Sequence, residues 1–492
     1  MEEKQKKMMI LGASALQVPA IKKAKELGYQ IILVDYDENA AGFALADVKL
    51  VVSTLDQEEV YRQALIYQPD VVITSTSDGP VRTAAFVNEK LGKKPDLSYE
   101  NALCATIKSK MRDRLKECGV PIPEYYVAED YEEFSEAVDR LGGDCIVKPA
   151  DNAGSRGVVL LEPGNFDLML PGVNGEPEGR DTAPCGVKNE PQSRDGIRIE
   201  KPGILKNDVY HYSRGNARNG TVMVEEYMRG PEVSVEIMVI DGEPHILAIT
   251  DKYITPPPYF VELAHCEPSR LDAGTQEEIG RVAAQAVRAI GIENAPAHVE
   301  IKVTEEGPKI VELAARLGGD FITSRLVPLS TGIDMVGASV LLATGEKPDL
   351  TPGWNRGAAI HFISAGNEPI GSETDISREL REPEAPELTE GMSAFTGNEP
   401  DGVMEAGRVP AAYGQRGEEQ GGVIARITVP EALYVQEGVE EISLYKKPGD
   451  PVQGTRSSND RLGHVITTGE TPEQAMELGK RILAQIHVEI SY

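Results

Sequence analysis

Short apolar runs alternate with amphipathic segments over the N-terminal part of the chain, and this order constrains the fold more than any other feature. Strands are predicted at residues 8–14, 31–35, 48–53 and 71–74, and helices at about 19–27 and 57–67. Strands joined through helical crossovers pair in parallel, and helices cover both faces of a parallel sheet. The sequence therefore predicts an N-terminal α/β unit built on a parallel sheet.

The turn after the first strand reads Gly12-Ala-Ser-Ala-Leu-Gln17. A dinucleotide-binding turn needs further glycines, which let a pyrophosphate approach the backbone. Asp35 ends the second strand, where a ribose-binding acid lies in dinucleotide-binding folds. Without the glycines, we expect a structural role or a role at the substrate end of the site, and not NAD binding.

Periodicity also predicts most of the later elements. Helices are expected at about 98–118, 131–141, 207–213 and 275–290, and strands at 145–149, 357–364 and 461–466. Thr471-Pro-Glu-Gln474 has the pattern of a helix N-cap with proline at the first helical position, and the last helix is expected to end near residue 484.

A predicted hairpin between residues 298 and 316 carries the richest chemistry. Alternation places His298, Glu300 and Lys302 on one face of its first strand and Glu312, Ala314 and Arg316 on one face of its second. Two carboxylates on adjacent strands suit Mg²⁺, which completes its shell with water and phosphate oxygens. Arg316 is suited to stabilising an anionic intermediate. The alternative is a solvated hairpin face.

A second candidate phosphate site follows the strand that ends in Lys148-Pro149. Gly154-Ser155-Arg156-Gly157 forms a glycine-rich turn before the next apolar run, and the backbone N–H groups of such a flap can lie over phosphates. An ordinary tight hairpin is the alternative, but Lys148 points from a strand end toward the place that an anion would occupy.

Two long irregular stretches interrupt the middle of the chain. Residues 163–215 are read as an inserted surface loop, suited to a lid over the site. Residues 250–265 are read as a proline-stiffened loop in which Phe260, Glu262 and His265 are candidate substrate contacts. His298 is a further candidate for substrate contact or for orienting the metal acids, although a lone strand histidine is more often structural.

Composition excludes several classes of partner. The 492 residues carry a net charge of -29, which disfavours nucleic acid and anionic membranes. The 5 cysteines are scattered and never form CxxC, which favours reduced thiols in the cytosol. The charged start and the lack of a long apolar run predict neither a signal peptide nor a membrane span. The expected location is cytoplasmic.

These blocks, in this order, resemble the ATP-grasp ligases over nearly the full chain. The resemblance implies a multidomain α/β and α+β fold: a Rossmann-like domain (1–105), a two-lobed ATP-grasp domain (106–348) with the insertion at about 163–215, and a small C-terminal α+β domain (349–492). It also implies ATP and Mg²⁺ (or Mn²⁺) as cofactors.

The resemblance assigns roles to individual residues. Lys108 and Lys148 match the phosphate-binding lysines, and Gly154, Ser155, Arg156 and Gly157 match the flap. Glu225, Glu226, Tyr227 and Met228 match the adenine connector, Glu232 the ribose acid, Glu300 and Glu312 the metal ligands, and Arg316 the catalytic arginine. One position departs from the pattern, because Ala314 stands where many members have a metal-binding Asn. The Glu-x-Ala-Ala-Arg form is similar to that of amino-acid ligases that make dipeptides.

The reaction implied is ATP-dependent joining of a carboxylate and an amine through an acyl phosphate, with an amino acid as the expected substrate. A biotin-carboxylase-like enzyme is one alternative, but the chain has no Ala-Met-Lys-Met carrier segment. A nucleotide-binding sensor without turnover is another, against which the retained Arg316 argues. The sequence leaves the oligomeric state open, although homodimers are common among such enzymes.

Overall fold

The computed structural model describes residues 5–93, 96–151, 157–162, 202–256, 260–365 and 421–492. Within them, nineteen strands follow one another: β1 (Lys7–Leu11), β2 (Gln30–Asp35), β3 (Val48–Val51), β4 (Val71–Ile73), β5 (Tyr125–Ala128), β6 (Cys145–Pro149), β7 (Val159–Leu161), β8 (Val222–Glu226), β9 (Glu232–Ile240), β10 (Glu243–Ile254), β11 (Glu262–Glu267), β12 (Ala295–Thr304), β13 (Gly307–Ala314), β14 (Gly357–Ile363), β15 (Gly422–Thr428), β16 (Val439–Leu444), β17 (Pro451–Val452), β18 (Gly463–Gly469) and β19 (His487–Ser491). The same residues form eleven α-helices: α1 (Val18–Glu26), α2 (Gln57–Tyr67), α3 (Asp78–Lys90), α4 (Tyr99–Cys104), α5 (Lys108–Glu117), α6 (Tyr131–Leu141), α7 (Pro202–Asn216), α8 (Ala273–Ile290), α9 (Val327–Thr331), α10 (Met335–Ala343) and α11 (Pro472–Leu483).

The first four strands form the predicted parallel sheet, in the order β3-β2-β1-β4. Alternate side chains of β1 enter two different cores: Met8 and Ile10 pack with α1 and α10, whereas Met9 and Leu11 pack with α2 and α3. The parallel α/β prediction is therefore confirmed, and α3 is a helix that the sequence analysis did not predict.

The glycine turn after β1 is stabilised from within the N-terminal unit. Gly12 has φ 106°, a conformation that favours glycine. Asp35 accepts hydrogen bonds from the backbone N–H groups of Ala13 at 2.7 Å and Asp37 at 3.0 Å. Oδ2 of Asp35 thus stabilises the turn after β1, and Oδ1 stabilises the chain that follows β2.

The single helix predicted at about 98–118 is wrong, because the chain breaks into α4 and α5. Ile107 between them is extended, with φ -118° and ψ 111°. The break places Lys108 at the first position of α5, where its backbone N–H donates to the carbonyl of Ala150 at 2.9 Å. The start of α5 is therefore fixed beside the end of β6.

A small antiparallel sheet, in the order β5-β8-β6-β7, is covered by α6 and α7. Val209 and Tyr210 of α7 are buried in its core, and the ring of Tyr210 lies 5.3 Å from that of Phe134 in α6. The predicted surface insertion at 163–215 is therefore too long at its C-terminal end, since α7 belongs to this core. Residues 163–201 lie outside the described residues.

The largest sheet has the order β13-β12-β9-β10-β11-β14-β18-β16, and α8 packs on one face of it. It contains the predicted hairpin, now β12 and β13. The loop predicted at 250–265 is wrong at both ends, because β10 extends through Ile254 and β11 begins at Glu262. Tyr253 pairs with Ala264 across these strands, so backbone pairing overrides the local proline signal. Residues 257–259 of this stretch lie outside the described residues.

The C-terminal part of the chain completes this sheet. Strand β14 pairs with both β11 and β18, so one sheet continues across the expected boundary between 348 and 349. Strands β17, β15 and β19 form a separate small sheet. The predicted cap of α11 is confirmed: Thr471 accepts from the backbone N–H of Gln474, and a proline occupies the first turn. Strand β18 begins at Gly463, two residues later than predicted.

Among the described residues, no single helix has both the length and the apolar character needed to cross a membrane. Residues Ile322–Thr331 and Met335–Ala343 meet those two criteria together, as a pair bent by 115°.

Candidate active site

The two predicted metal carboxylates lie directly opposite each other in the β12–β13 hairpin, where Glu300 pairs with Glu312. Each carboxylate contacts a lysine from another element. Glu300 Oε1 lies 2.9 Å from Lys252 Nζ, and Glu312 forms an ion pair with Lys108 at the start of α5. The two acids are thus brought together, and each is paired with a cation.

Lys252, which the sequence analysis did not single out, joins two of the predicted site acids. Its Nζ lies 2.7 Å from Glu232 Oε1 on β9 as well as 2.9 Å from Glu300 Oε1. Burial alone would lower the pKa of Lys252, but these carboxylates raise it well above its ordinary value. Burial likewise opposes the ionised form of Glu300, yet Lys252 and His298 keep the pKa of Glu300 well below its usual range. Both groups therefore stay charged at neutral pH.

Lys148 belongs to a buried ion-pair triad at the end of β6. Its Nζ lies 2.6 Å from Glu225 Oε2, and Arg112 of α5 contacts both carboxylate oxygens of Glu225, at 2.9 and 3.1 Å. Arg112 also donates to the carbonyls of Ile310 and Val311, at 3.1 and 2.8 Å. Arg112, which was not predicted, therefore connects Lys148 with the strand that carries Glu312.

The triad includes Glu225, the first residue of the predicted adenine connector. The carboxylate of Glu225 is occupied by Arg112 and Lys148, so its side chain positions Lys148 and is not free to accept from an adenine amino group. Glu226 accepts from Lys309 at 3.1 Å, and Tyr227 lies with its ring 5.1 Å from the guanidinium of Arg229. Met228 is buried beyond them.

Of the predicted glycine-rich flap, Gly154, Ser155 and Arg156 lie outside the described residues. Gly157 is described, with φ 81°, and a Cβ there would lie 2.7 Å from Pro149 Cγ. Glycine is therefore required where the flap returns toward the strand that carries Lys148.

His298 is buried beside Glu300, one of the two predicted metal ligands. Its Nδ1 lies 2.5 Å from Glu236 Oε1, and its Nε2 lies 3.4 Å from Glu300 Oε1. Burial opposes the charge, but Glu236 and Glu300 raise the pKa of His298 to about 9. Gly318 passes directly over this pair, since a Cβ there would lie 2.8 Å from His298 Nδ1. His298 is thus placed to orient Glu300.

Arg316 follows β13 and contacts the N-terminal unit at the start of α3. Its Nε lies 2.7 Å from Asp78 Oδ1, at the start of α3. The backbone N–H of Leu317 donates to the carbonyl of Ser75 at 2.9 Å. Asp78 was not predicted, although its place at a helix start after a parallel strand is a detectable signal.

A cavity of about 390 Å³ lies at the carboxyl edge of the parallel sheet, and its wall includes Gly12, Asp35 and Ser77. Asp78 and Arg316 do not line this cavity. The N-terminal unit contacts the start of the segment after β13 through Asp78 and Ser75, at the places given above.

Two of the predicted substrate residues, Glu262 and His265, lie close together, and each is linked to the Asp320–Arg461 ion pair. Arg461 contacts Glu262 Oε2 at 2.7 Å and Asp320 Oδ1 at 2.8 Å, and His265 Nε2 lies 3.3 Å from Asp320 Oδ2. Phe260 is the first described residue after 256, and its φ is 49°. Asp320 and Arg461 were missed, because neither belongs to a local pattern.

The residues present fit a divalent cation of the magnesium type. No group of three or more His, Cys, Asp and Glu side chains in the described parts of the chain forms a complete metal site. Two carboxylates that face each other across a hairpin are nevertheless the protein share that Mg²⁺ needs when phosphate oxygens and water supply the rest. A zinc-type site, with four protein ligands, does not fit this donor set.

Two segments of the chain match models of known protein families. Residues 204–324 match the family model of the ATP-grasp domain, and residues 419–491 match that of the L-amino acid ligase C-terminal domain 2. The alanine–anticapsin ligase of Bacillus subtilis is 27% identical over 60% of this chain and 58% of its own length. An uncharacterized protein of Sinorhizobium fredii, y4rH, is 24% identical over 78% of this chain and 61% of its own length. The chain thus spans about three fifths of the length of these curated relatives.

A solved structure extends the likeness to the whole fold. The crystal structure of an L-amino acid ligase from Bacillus licheniformis superposes on this chain with a TM-score of 0.71, covering 100% of both chains at 18% identity. The multidomain α/β architecture is therefore that of the ATP-grasp ligases. The chain carries an ATP-grasp domain and, toward its C-terminus, an L-amino acid ligase C-terminal domain 2.

Proposed function

We propose that this protein is an ATP-dependent carboxylate–amine ligase that forms an amide between small metabolites and releases ADP and phosphate. One observation carries the proposal: Glu300 and Glu312 lie opposite each other in the β12–β13 hairpin, and each contacts a lysine. Arg316 lies two residues after the end of β13. This is an arrangement for holding a polyphosphate through a cation and for stabilising the anion that phosphoryl transfer creates.

The nucleotide is proposed to lie between the small sheet and the hairpin. Lys108 and Lys148 would bind its phosphates, with the flap from Gly154 to Gly157 above them. The adenine would lie against the connector formed by Glu225, Glu226, Tyr227 and Met228, contacting its backbone, because the Glu225 carboxylate is occupied. Glu232 would bind the ribose hydroxyls, because Lys252 and Lys302 on the neighbouring strands orient its carboxylate, at 2.7 and 3.6 Å, and its side chain is 12% exposed against 4% for Glu225.

Glu300 and Glu312 would hold Mg²⁺ or Mn²⁺. When bound, the cation would neutralise part of the negative charge of the triphosphate. Without the cation, Lys252 and Lys108 neutralise the charge of these two carboxylates. Cation binding would therefore require both lysines to leave the carboxylates and contact phosphate oxygens instead. Ala314, opposite His298 in the hairpin, offers no ligand, so the protein supplies two carboxylates.

The proposed chemistry needs positioning more than covalent participation. A substrate carboxylate oxygen attacks the γ-phosphorus of ATP, and ADP leaves. The amine nitrogen then attacks the acyl carbon, phosphate leaves, and the ammonium nitrogen loses its proton. Lys148 and Arg316 act as fixed positive charges, Lys148 on the transferred phosphoryl group and Arg316 on the acyl phosphate and its adduct.

Amino acids are the proposed substrates. The names of two similar proteins, an alanine–anticapsin ligase and an L-amino acid ligase, support this class. The ion pair of Arg316 and Asp78 supports this class as well. An amino acid is a zwitterion, and this pair offers its carboxylate and its ammonium group one partner of opposite charge each. Phe260, Glu262, His265 and His298 remain the proposed substrate contacts, although His298 is better placed to orient Glu300.

The domain division at 105 and 348, a homodimer and a cytoplasmic location remain predictions. The match of residues 419–491 to an amino-acid ligase domain favours the ligase over a biotin-carboxylase-like enzyme.

The test is ADP production from Mg-ATP with a panel of amino acids, singly and in pairs, followed by mass spectrometry of the products. A product whose mass equals the two substrates minus water, formed with one ADP, is the expected result. Glu300→Gln, which keeps the side-chain size, is the matched inactive control. ATP binding without ADP production across the panel would move the substrate search to other carboxylates, whereas no ATP binding would reject the proposal.

A further inference from the structure

The loop that follows the catalytic arginine is held at both ends by different parts of the protein. This segment, residues 316–321, is named the arginine loop. At its start Arg316 and Leu317 contact Asp78 and Ser75 of the N-terminal unit. At its end Asp320 contacts Arg461, which lies in the C-terminal domain matched by residues 419–491.

The contact with Arg461 uses most of the donors on its side chain. Nη1 and Nη2 lie 2.8 and 3.0 Å from the two carboxylate oxygens of Asp320. Nη2 also contacts Glu262 Oε2 at 2.7 Å, and Nε donates to the carbonyl of Glu262 at 3.2 Å. The guanidinium lies 3.7 Å from the ring centre of Phe362, and Arg461 is only 4% exposed. Arg461 is therefore a fixed part of the protein wall and is not open to a substrate.

The backbone at this end of the loop would not adopt its conformation unaided. Asp320 and Phe321 are consecutive non-glycine residues with left-handed φ values of 49° and 64°. Such conformations persist where surrounding contacts enforce them. Arg461 supplies one such contact through Asp320, and His464 supplies another, with its ring 4.5 Å from that of Phe321. Both partners belong to the C-terminal domain.

The position of Arg316 depends on the backbone conformation at Asp320 and Phe321, because other contacts restrict the residues between Arg316 and Asp320. Gly318 lies against His298 and Glu236 with no space for a side chain. Thr323 donates to the carbonyl of Gly318 at 2.8 Å, and the backbone N–H of Ile322 donates to Gly319 at 2.9 Å. Release of Asp320 would thus be transmitted to the backbone that carries Arg316.

We propose that Arg461 is a positioning residue for the ligase reaction: by binding Asp320 it fixes the arginine loop, and so holds Arg316 where the acyl phosphate forms. The proposal rests on the proposed function. It also gives the C-terminal domain a part in catalysis, because that domain supplies the partner that keeps the loop in its working conformation.

The test compares Arg461→Met with Arg325→Met. Arg325 Nη2 lies 3.3 Å from Glu441 Oε2, so the control variant also removes an arginine contact to the C-terminal domain, but outside the loop. Arg461→Met should lower kcat by about tenfold to a hundredfold, as misplaced catalytic groups typically do, while the KM for ATP stays within about twofold. More ADP should also be released per amide formed. Arg325→Met should change none of these values.

Asp320→Asn, a nearly isosteric change, gives a second variant in case Arg461→Met folds poorly. If the two residues act through each other, the double variant should be no slower than the slower single variant. If the double variant instead showed the product of the two single reductions in kcat, Arg461 would act on the reaction independently of Asp320. That result would overturn the proposal.

Hydrogen exchange of one amide in the arginine loop, and of one directly after it, gives a readout that needs no turnover. Leu317 and Ile322 donate backbone hydrogen bonds, and their exchange should accelerate in Arg461→Met but not in Arg325→Met. Unchanged exchange, or faster exchange with unchanged kcat, would overturn the positioning role. A wild-type protein with no ligase activity would reject the proposed function, and the exchange comparison would then decide by itself whether Arg461 fixes the loop.

Discussion

Arg316 Nε lies 2.7 Å from Asp78 Oδ1, so a carboxylate of the N-terminal unit orients the arginine that follows the β12–β13 hairpin. Burial opposes ionisation of Asp78, but Arg316 lowers the pKa of the carboxyl group, and both groups are charged at neutral pH. Their side chains are 14% and 23% exposed, which leaves the pair accessible to a small molecule. The ion pair therefore joins two parts of the chain at the proposed reaction centre.

Replacement of this arginine should remove activity and leave the fold. Arg316→Ala is expected to cost about 3 kcal/mol of transition-state stabilisation, a hundredfold or more in kcat, because a fixed charge cannot be replaced by mobile water. Glu300→Ala should have a comparable effect through the metal. Turnover is measured as ADP release, and the melting transition is followed in parallel. Normal turnover in a folded Arg316→Ala protein would contradict the assigned role.

The local elements around this centre could be predicted because their signals are local. The alternation in β12 and β13 placed Glu300 and Glu312 on neighbouring strands, and the apolar runs of β1 to β4 gave the parallel sheet. The predicted helix over 98–118 failed at residues 105–107, where propensity alone gives no reason to stop. Contact between Lys108 and the end of β6 decides that break.

The partners of the site residues could not be predicted in the same way. Asp78 lies 238 positions from Arg316, Arg112 lies 113 from Glu225, and Lys252 lies 48 from Glu300. No periodicity connects residues so far apart, and a charged residue in a strand usually indicates a solvated face. Only the tertiary fold shows that these charges are buried together, where each needs a partner of opposite sign.

The two adjacent glycines after Arg316 should differ sharply in their tolerance of a side chain. A Cβ on Gly318 would lie 2.8 Å from His298 Nδ1 and 2.9 Å from both Glu236 carboxylate oxygens, whereas a Cβ on Gly319 meets nothing within 4 Å. Gly318→Ala is expected to cost about 1–3 kcal/mol of stability, as overpacking typically does, and to lower kcat by displacing Glu300. Gly319→Ala is the matched control and should behave as wild type. Urea unfolding and ADP release measure the two effects, and equal behaviour of the variants would contradict the close approach.

ATP binding should weaken as the pH rises through 8. Burial lowers the pKa of Lys148 to about 8 even though Glu225 opposes the shift. Binding of the triphosphate needs the charged ammonium, so affinity is full below this pKa and declines above it. Titration with a non-hydrolysable ATP analogue at pH values on both sides of 8 measures the effect.

Two lysine variants separate this effect from general alkaline changes. Lys148→Met should bind the analogue weakly with little dependence on pH, because the titrating group is gone. Lys347→Met removes a lysine that is 72% exposed and paired with Asp241, and it should keep the wild-type profile. An unchanged profile in Lys148→Met would assign the pH dependence to another group.

The buried carboxyl group of Glu267, the last residue of β11, should make the fold lose stability as the pH rises from 4.5 to about 8. Glu267 is fully buried and accepts hydrogen bonds from Thr250 Oγ1 at 2.8 Å and from Ser330 Oγ. Burial, which these hydroxyl groups only partly offset, raises the pKa of Glu267 from 4.5 to about 8. Between these values the folded chain keeps a proton that the unfolded chain has released. The stabilisation is therefore complete below 4.5 and is lost as the pH rises to 8.

Glu267→Gln should abolish most of this dependence, because the amide stays neutral and nearly isosteric. Each unit of pKa difference corresponds to about 1.4 kcal/mol, so wild type should lose a few kcal/mol relative to the variant across this pH range. Urea unfolding midpoints at acidic and alkaline pH measure the difference, and Glu437→Gln, at an exposed acid, should follow wild type. If wild type and Glu267→Gln lost stability in parallel as the pH rose, Glu267 would have to be ionised in the folded protein, and another group would account for the decline.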